Sequence, residues 1–304
     1  MPLSNAVPKT EAVVDGSVGL DTWGDEAILT TLLDGHRRAV ESVAAAIPAL
    51  SLAAELGAAA IEAGGRLIYL GAGSPALISL GDALEVPQTY GIAYDRIVLV
   101  LADGKAVTRL NGVREDDVVG ARSDIAEAGV GPGDCVIATS ASGSTPYTVE
   151  GLKAARGAGA RTIGIAGNAG SPLLEAADVA VLLDAGPEVI SGSTRMSAGT
   201  AQKAALNMLS TLIGVRLRHV YDGLMVNVKA DNDKLRGRAA RIVTTIAGAS
   251  AETAAAALKT SDGEVKPAIL IAAGAKSLAD AGDILSATKG NVRQALAKLS
   301  RRTL

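Results

Sequence analysis

Five short apolar runs constrain the fold of this chain more than any other feature of its sequence. Each run has about the length of a strand, and none shows the polar alternation of a half-exposed strand. The runs are Arg66–Gly71, Arg96–Ala102, Cys135–Ser140, Arg161–Ala166 and Asp178–Leu183. Continuous apolar strands of this kind are typical of a parallel sheet that helices cover on both faces.

Helical patterns separate these runs, precede the first and follow the last. Predicted helices lie at 25–47, 50–63, 146–158, 194–221 and 229–247, and several short helices follow residue 248. Strands that alternate with helices imply crossover connections. We therefore expect an α/β fold with a doubly wound five-stranded parallel sheet, flanking helices and a small all-helical C-terminal domain.

The length of 304 residues suits one large and one small domain. With 48% hydrophobic residues the chain can bury a sizeable core, and because it has no Phe that core must be mainly aliphatic. The predicted bounds are 1–48 for an N-terminal extension with helices, 49–247 for the sheet domain and 248–304 for the helical domain.

Charge and metal-ligand content exclude several classes of function. The net charge of -3 gives no electrostatic reason to expect nucleic acid or an anionic membrane as a partner. One Cys and two His are too few for a conventional zinc site, and the lone Cys135 cannot form an intramolecular disulfide. We expect a cytoplasmic protein that uses neither a metal nor a disulfide.

The sequence predicts neither a targeting segment nor a membrane span. Residues 1–10 lack the basic start and the apolar run of a signal peptide. The most apolar long stretch, 39–64, is interrupted by Pro48 and three glutamates. We therefore interpret it as two helices and not as a membrane span.

Two loops that follow predicted strands carry the residues of an anion site. Gly71–Ser74 follows the first strand, and Ser140–Thr145 follows the third and precedes Pro146 at the start of a helix. Hydroxyls and free backbone N–H groups at a helix N-terminus can hold a phosphate. Neither loop has the lysine of a P-loop, and the first lacks the glycine spacing of a dinucleotide fingerprint. Simple helix capping is the alternative for either loop.

Carboxylates or lysine would have to perform any acid–base chemistry, because neither histidine lies in a strand-end loop. Glu85 is the first candidate, since apolar residues surround it in the sequence and Pro87 follows at the end of the predicted helix. A carboxyl group in apolar surroundings can carry a proton at neutral pH. The alternative is that Glu85 is an ordinary surface residue at a helix end.

Two parts of the chain carry a family resemblance. Ser142–Tyr147, with a strand before it and a helix after it, resembles the loop of the sugar isomerase (SIS) fold that binds phosphosugars. The segment 186–211, GPEVISGSTRMSAGTAQKAALNMLST, and the block 224–235, LMVNVKADNDKL, are similar to the signature of N-acetylmuramic acid 6-phosphate etherases. The resemblance runs from about residue 20 to the end of the chain.

The resemblance implies a SIS-type sheet domain and a homodimeric lyase of amino-sugar metabolism and peptidoglycan recycling, without metal or cofactor. The implied substrate is a small phosphosugar, N-acetylmuramic acid 6-phosphate, which loses D-lactate to give N-acetylglucosamine 6-phosphate. A base takes the C2 proton of the open-chain sugar, lactate leaves, and water adds to the double bond. The residues assigned to substrate or phosphate binding are Ser74, Ser140, Ser142, Gly143, Ser144, Thr145, Glu188, Ser191 and Ser193.

The implied catalytic pair departs from the family pattern at one position. Glu85 keeps its sequence context, whereas Arg114 occupies the place of the family's second glutamate unless a slip of one residue brings Glu115 there. A guanidinium group cannot act as a base, because it stays protonated at any working pH. We therefore predict Glu85 and Glu115 as the catalytic pair, with Asp116 as a shorter substitute.

The two loops depart from the family pattern as well. Residues 71–77 read GAGSPAL and lack a glycine and an arginine of the family, and residues 142–146 read SGSTP and lack a second arginine. The leading hypothesis is a phosphosugar etherase or a close relative with an altered substrate. The alternatives are a non-catalytic phosphosugar-binding regulator on the same scaffold and an aldose–ketose phosphosugar isomerase, since fold alone does not fix the reaction.

Overall fold

A computed structural model describes residues 12, 15–104, 110, 112–228 and 233–301. Its strands are β1 Leu67–Gly71, β2 Ile97–Leu101, β3 Cys135–Thr139, β4 Arg161–Ala166, β5 Val179–Leu182, β6 Val220–Tyr221 and β7 Leu224–Met225. Its helices are α1 Asp25–Ser42, α2 Ile47–Glu62, α3 Gly73–Tyr90, α4 Val118–Glu127, α5 Pro146–Gly157, α6 Pro172–Ala176, α7 Ser197–Arg216, α8 Asp233–Ala247, α9 Ala251–Thr260, α10 Val265–Ala272, α11 Leu278–Ala287 and α12 Val292–Ser300. All five predicted strands are confirmed, each to within one residue at either end.

The first five strands form one parallel sheet in the order β2-β1-β3-β4-β5. Gly71, at the end of β1, pairs in register with Leu101 of β2 on one side and with Thr139 of β3 on the other. The chain order reverses here, so the crevice at the carboxyl ends of β1 and β3 is the topological switch point of the sheet. The predicted doubly wound architecture is confirmed.

Two compact units make up the chain. Unit 1 comprises Met1–Leu84 and Tyr94–Ile213, and unit 2 comprises Glu85–Ala93 and Gly214–Leu304. Unit 1 contains the sheet, and unit 2 contains the β6–β7 hairpin and the helices α8 to α12. The three domain bounds proposed from the sequence are a finer division and stay a prediction.

Helices cover one face of the sheet through an aliphatic cluster. Ile68 and Leu70 of β1 lie in this cluster, fully buried, together with Ile125 of α4 and Leu152 of α5. Because side chains alternate along a strand, the neighbouring Tyr69 lies on the other face of the sheet.

The opposite face is held by a buried polar network. The hydroxyl of Tyr69 donates to Oδ2 of Asp82 in α3 at 2.9 Å. Oδ1 of Asp82 accepts from Asn207 Nδ2 at 2.7 Å and from Ser210 Oγ at 3.0 Å, both in α7. This network fixes α3 and α7 to the central strand, and it satisfies a carboxylate that would otherwise be costly to bury.

Unit 2 is helical around two aliphatic clusters of its own. One cluster joins Val226, after the hairpin, to Val243 of α8 and Ile269 of α10. The other joins Leu270 of α10 to Ile284 of α11, together with buried residues of α12. The predicted helical C-terminal region is thereby confirmed.

The two Ala-rich N-terminal helices have a different junction from the predicted one. A 3-10 turn occupies Val43–Ala46, and α2 begins at Ile47. Pro48 therefore lies in the first turn of α2 and not between two helices. Proline is tolerated there because the first N–H groups of a helix have no partner within the helix.

One helical stretch among the described residues, Asp25–Glu62, is long and apolar enough to cross a membrane by length and composition alone. Core helices of soluble proteins meet the same criterion, and α2 contacts β1, β3 and β5 of the sheet in this structure. The absence of membrane and nucleic-acid partners and the cytoplasmic location stay predictions.

The predicted helix at 194–221 was too long, because α7 spans only Ser197–Arg216. Arg218 has a left-handed backbone with φ of 62°. The N–H of His219 donates to the carbonyl oxygen of Gly214 at 3.0 Å, which closes the helix end.

A short hairpin follows where helix was expected. Asp222 and Gly223 have φ of 45° and 75° and form the tight turn between β6 and β7. An Asp-Gly pair between apolar residues is a hairpin signal that the sequence analysis missed. The predicted helix at 229–247 is confirmed from Asp233 onward, and residues 229–232 lie outside the described residues.

Candidate active site at the strand ends

Two loops extend from the same edge of the sheet because β1 and β3 are neighbours. Gly71 and Thr139, the last residues of these strands, pair in register. Each loop leads directly into a helix, α3 after β1 and α5 after β3. We call the loops 72–74 and 140–145, together with Glu115, the strand-end site.

The loop after β3 holds its hydroxyl groups in a hydrogen-bonded network. Ser140 Oγ lies 2.9 Å from Thr145 Oγ1 and accepts from the N–H of Gly143 at 3.0 Å. Ser142 Oγ accepts from the N–H and from the hydroxyl of Ser144, both at 3.2 Å. Thr145 is the N-cap residue of α5, but its side chain makes no capping hydrogen bond. Helix capping therefore does not explain the hydroxyl of Thr145.

Gly143 brings the loop after β4 against the loop after β3. Its φ is 77°, and a Cβ at this position would lie 2.2 Å from Ser171 Oγ. The Ser171 hydroxyl is buried and has no hydrogen-bond partner in the described part of the chain. Asn168 Nδ2 donates to the carbonyl oxygen of Ser142 at 2.9 Å. Sequence reasoning missed Asn168 and Ser171, although their place directly after the fourth strand was an available signal.

Glu115 is a carboxylate that lies at this edge of the sheet. It belongs to a 3-10 turn, Gly112–Asp116, that packs against α5. A Cβ on Gly73, at the start of α3, would lie 2.7 Å from Oε1 of Glu115. Gly73 also has φ of 61°, so the close approach of Glu115 requires glycine there.

The surroundings of Glu115 favour its protonated form. Burial raises the pKa of Glu115 above its ordinary value, and the carboxylates of Asp103 and Asp116 raise it further. A carboxyl group with a raised pKa exchanges protons more effectively near neutral pH. Asp116 is exposed, so Glu115 is the member of this acidic pair with the environment of an acid–base group.

Arg114 is engaged in ion pairs that support the same turn. Its Nη2 lies 3.2 Å from Oδ2 of Asp124, and its Nε lies 3.7 Å from Oδ2 of Asp117. The hydroxyl of Tyr147 donates to the same Asp124 oxygen at 2.7 Å. Through Asp124, Arg114 therefore links the turn that carries Glu115 to α4 and α5.

Glu85 lies on an exposed position of α3. The helix continues through Pro87 to Tyr90, so Glu85 is not at its end as the sequence suggested. Glu85 belongs to unit 2, whereas the strand-end site belongs to unit 1. Its catalytic role remains a prediction.

The other predicted binding residues lie in separate environments. Ser74 is half-buried in the first turn of α3. Glu188 is buried, and its two carboxylate oxygens accept from the first two N–H groups of α7 at 2.7 and 2.9 Å. Ser191 is exposed and Ser193 is half-buried in the turn before α7. Glu188 thus caps a helix, and the binding role of all four residues remains a prediction.

The described residues contain no group of three or more His, Cys, Asp or Glu side chains that could hold a metal ion. Cys135 is buried in β3, and burial raises the pKa of its thiol to about 12, which suppresses thiolate chemistry. The chemistry that the strand-end site offers is proton transfer by a carboxyl group beside neutral hydrogen-bond donors.

The fold places this chain among the SIS-fold proteins. The family model described as SIS domain matches residues 112–212. The crystal structure of an inferred phosphosugar isomerase involved in capsule formation, from Bacteroides fragilis, superposes with a TM-score of 0.52 and 22% identity. That likeness covers 66% of this chain and 95% of the other, and at this identity it shows the fold alone.

Sequence relatives narrow the class to a family. An N-acetylmuramic acid 6-phosphate etherase from Deinococcus radiodurans is 42% identical over 290 residues, which cover 95% of each chain. One from Mycolicibacterium smegmatis is 41% identical over 95% of this chain and 97% of its own. The chain therefore belongs to the N-acetylmuramic acid 6-phosphate etherase family, as the sequence resemblance predicted.

Proposed function

We propose that this protein removes the D-lactyl group from N-acetylmuramic acid 6-phosphate. A carboxylate takes the C2 proton of the open-chain sugar, and the released electron pair forms a C2–C3 double bond as the C3–O bond breaks. The oxygen leaves with D-lactate and gains a proton. Water then adds its hydroxyl at C3 while C2 regains a proton, which gives N-acetylglucosamine 6-phosphate. The reaction consumes one water without a change of redox state, so an acid–base pair is sufficient.

The observation that carries this proposal is the position of Glu115. Its carboxyl group lies against Gly73, after β1, in a turn that packs on α5. Burial and two neighbouring carboxylates raise its pKa. We assign to Glu115 the abstraction of the C2 proton. We assign to Glu85, which keeps its family context in the sequence, the proton that the departing lactate oxygen gains.

For the 6-phosphate we propose the loop after β3. Ser142, Ser144 and Thr145 supply hydroxyls at the N-terminus of α5, and the N–H groups after Gly143 add further donors. The loop 140–145 contains no Lys or Arg, so neutral donors and the positive end of the helix hold the charge. The hydroxyl of Ser171, which has no hydrogen-bond partner among the described residues, supports this assignment as one more donor beside Gly143.

A substrate with a different ether group is the second candidate within the same reaction. Leu77, in the place of a family arginine, is 42% exposed, and an apolar side chain there would not pair with a carboxylate of the substrate. The relatives named as etherases, at 41–42% identity, favour the etherase over the regulator and the isomerase.

The decisive experiment incubates the purified protein with N-acetylmuramic acid 6-phosphate in deuterated water. We expect release of D-lactate and deuterium at C2 of the N-acetylglucosamine 6-phosphate product. Phosphosugar binding with neither lactate nor C2 exchange would replace the etherase by the regulator. Conversion of an aldose phosphate to a ketose phosphate without lactate release would replace it by the isomerase.

The phosphate assignment has a test of its own. Ser142→Ala should weaken the affinity for N-acetylglucosamine 6-phosphate by about tenfold or more, because it removes a hydrogen bond to a charged group. The melting temperature should change little, since Ser142 is not fully buried. Equal affinity of the unaltered protein for phosphorylated and unphosphorylated sugar would refute the assignment.

We also infer a homodimer that buries an apolar stripe on α1. Leu29, Leu33 and Val40 are 64%, 49% and 51% exposed, and their spacing places them on one face of the helix. Exposed stripes of this kind mark interaction surfaces.

Leu33→Glu should convert the dimer to a 30.4 kDa monomer in sedimentation. Leu278→Glu, at an exposed leucine of α11, is the control that should leave the dimer intact. A monomer in the unaltered protein at micromolar concentration would exclude the inference.

A further inference from the structure

The last part of α3 belongs to a different compact unit from its beginning. Unit 1 includes the helix up to Leu84, and unit 2 takes over at Glu85. Glu85 itself is exposed, whereas the next two residues, Val86 and Pro87, are buried. The contacts that residues 86–91 make within unit 2 therefore contribute to fixing the carboxyl group of Glu85.

Pro87 weakens the helix at this point. Proline has no N–H, so the carbonyl oxygen of Ala83 lacks the helical hydrogen bond that residue 87 would otherwise donate. Glu85 lies midway between these two residues, inside the turn that lacks the bond. The end of α3 consequently depends more than an ordinary helix end on contacts from outside the helix.

Asn227 supplies such a contact from the segment after the hairpin. Its Nδ2 donates to the carbonyl oxygen of Tyr90 at 3.1 Å and to that of Gly91 at 3.3 Å. Carbonyl groups at the C-terminal end of a helix have no N–H partner within the helix. The flanking Val226 and Val228 are buried in the aliphatic cluster with α8 and α10, so the backbone that carries Asn227 is fixed.

Gly91 lets the segment of Asn227 approach the end of α3 closely. Its φ of 62° is left-handed, and a Cβ at this position would lie 2.0 Å from the backbone oxygen of Asn227. The N–H of Gly91 donates to the carbonyl oxygen of Pro87 at 2.9 Å, which closes the helix end. A side chain at position 91 would separate the two segments.

A second close contact holds the ring of Tyr90. A Cβ on Gly214 of α7 would lie 2.5 Å from Cδ1 of this ring, and Tyr90 is only 8% exposed. Glycine weakens the interior of a helix, and at position 214 it leaves the space that the ring occupies. The turn that follows Glu85 is thus held by two segments of unit 2, one with Asn227 and one with Gly214.

We propose that Asn227 is a positioning residue for Glu85. Its amide bonds to the carbonyl oxygens at the end of α3 and holds the turn that carries the Glu85 carboxyl group in the orientation for proton transfer. The inference rests on the proposed function, in which Glu85 protonates the departing lactate oxygen. It adds to that function a residue that acts through another. A displacement of about 1 Å in a reacting group is sufficient to lower a rate by about 100-fold.

Asn227→Asp tests the proposal, because it removes both donated hydrogen bonds at nearly unchanged size. We expect kcat for D-lactate release from N-acetylmuramic acid 6-phosphate to fall by about 10- to 100-fold, while KM stays within a few-fold. Asn291→Asp is the matched control in the same unit. The half-buried Asn291 accepts from the N–H of Gln294 at 3.0 Å, which aspartate also does, so kcat and KM should stay unchanged.

A double-mutant cycle separates positioning from general damage to the fold. Asn227→Asp should lower the rate little in a protein that already has Glu85→Gln, because the residue that it positions is no longer an acid. A merely structural role would give the same loss in both backgrounds. Amide hydrogen exchange at 85–91 should be faster in Asn227→Asp than in Asn291→Asp. If Asn227→Asp fails to fold, Gly214→Ala, whose methyl group displaces the Tyr90 ring, takes its place in the cycle.

The inference is overturned if the folded variant keeps the kcat of the unaltered protein, or if its loss is equal with and without Glu85→Gln. It is also overturned if Glu85→Gln itself releases D-lactate at the unaltered rate, in which case the etherase reaction stands with another acid. The absence of D-lactate release by the unaltered protein refutes the proposed function, and this inference with it. The failure of the inference alone and the failure of the proposed function are therefore distinguishable.

Discussion

The strand-end site and the buried basic pair of unit 2, His219 and Lys266, give their polar groups contrasting surroundings. In the first, the hydroxyls of the loop after β3 bond to one another, Ser140 with Thr145 and Ser142 with Ser144. In the second, the Lys266 residue is only 8% exposed, and the buried Nδ1 of His219 has no hydrogen-bond partner among the described residues. The hydroxyls of the first region bond to one another, whereas burial lowers the pKa of both basic groups in the second.

This difference teaches how binding and stability are coupled in each region. Neutral donors that bond to one another cost the free protein little, so their loss should reduce function more than stability. The buried ammonium group of Lys266 lowers the stability of the folded protein, because burial disfavours its charged form. Substitution of the loop hydroxyls should therefore change function more than stability, whereas substitution of Lys266 should change stability.

The largest expected effect is on catalysis at the strand-end site. Glu115→Gln should lower the rate of D-lactate release by about 100- to 10,000-fold, since positioned acid–base groups contribute on this scale. Asp116→Asn, at the exposed neighbour, is the matched control and should stay within a few-fold of the unaltered rate. A larger loss in Asp116→Asn than in Glu115→Gln would exchange the roles of the two carboxylates.

The next largest expected effect is on the pH dependence of stability, and it concerns Lys266 of unit 2. The pKa of Lys266 is about 8 in the folded protein and 10.5 ordinarily, so between these values the unfolded chain binds more protons. Stability should therefore rise with pH across this window, by on the order of 3 kcal/mol from this group. Urea unfolding of Lys266→Met should lack this rise and show greater stability at pH 7. Parallel pH curves for Lys266→Met and the unaltered protein would show that Lys266 is not buried as a charge.

Two glycine substitutions distinguish the cost of a close contact at Gly143 from the cost of a left-handed backbone alone. Gly143→Ala places a methyl group against Ser171 Oγ, whereas Gly170→Ala has the same left-handed strain with no atom within 4 Å. We expect about 1–2 kcal/mol of destabilisation in Gly170→Ala and about 1–3 kcal/mol more in Gly143→Ala. Only Gly143→Ala should also weaken phosphosugar binding. Equal melting temperatures of the two variants would contradict the close packing at Gly143.

The smallest effect distinguishes two neighbours on one turn. Arg114→Gln removes partly exposed ion pairs with Asp117 and Asp124 and should cost about 0.5–1 kcal/mol. D-lactate release by Arg114→Gln should stay within a few-fold of the unaltered rate. A loss of rate as large as that of Glu115→Gln would mean that the position of Glu115 depends on the ion pairs of Arg114.

The five strands and the helices that alternate with them were predictable because the sequence pattern of each element is local. Each strand lies in an unbroken apolar run, and a run of that length can be buried only within a covered sheet. The hydroxyl loop was predictable for the same reason, since it follows a strand and precedes Pro146 at a helix start. The hairpin at Asp222–Gly223 was missed, although its turn signal is also local.

The residues at the site were only partly accessible from the sequence. Glu115 was named as a candidate, but it is far along the sequence from the first strand, and nothing in the sequence indicates that it lies against Gly73. Asn168 and Ser171 were missed because their role depends on the loop after β4 meeting Gly143. Lys266 reads as an ordinary polar residue in a helix, and only its burial sets it apart.

The sequence by itself determined the fold class, the five strands and the family of this protein, because hydrophobic pattern and motif are properties of short segments. The tertiary structure decided that Glu115 lies against Gly73 at the strand ends and that its neighbour Arg114 pairs with Asp124. It also decided that Lys266 is buried and that Nδ1 of His219 has no hydrogen-bond partner among the described residues. Burial and the approach of distant charges depend on how separate segments pack, and these two quantities set the pKa of a side chain and its capacity to bind a ligand.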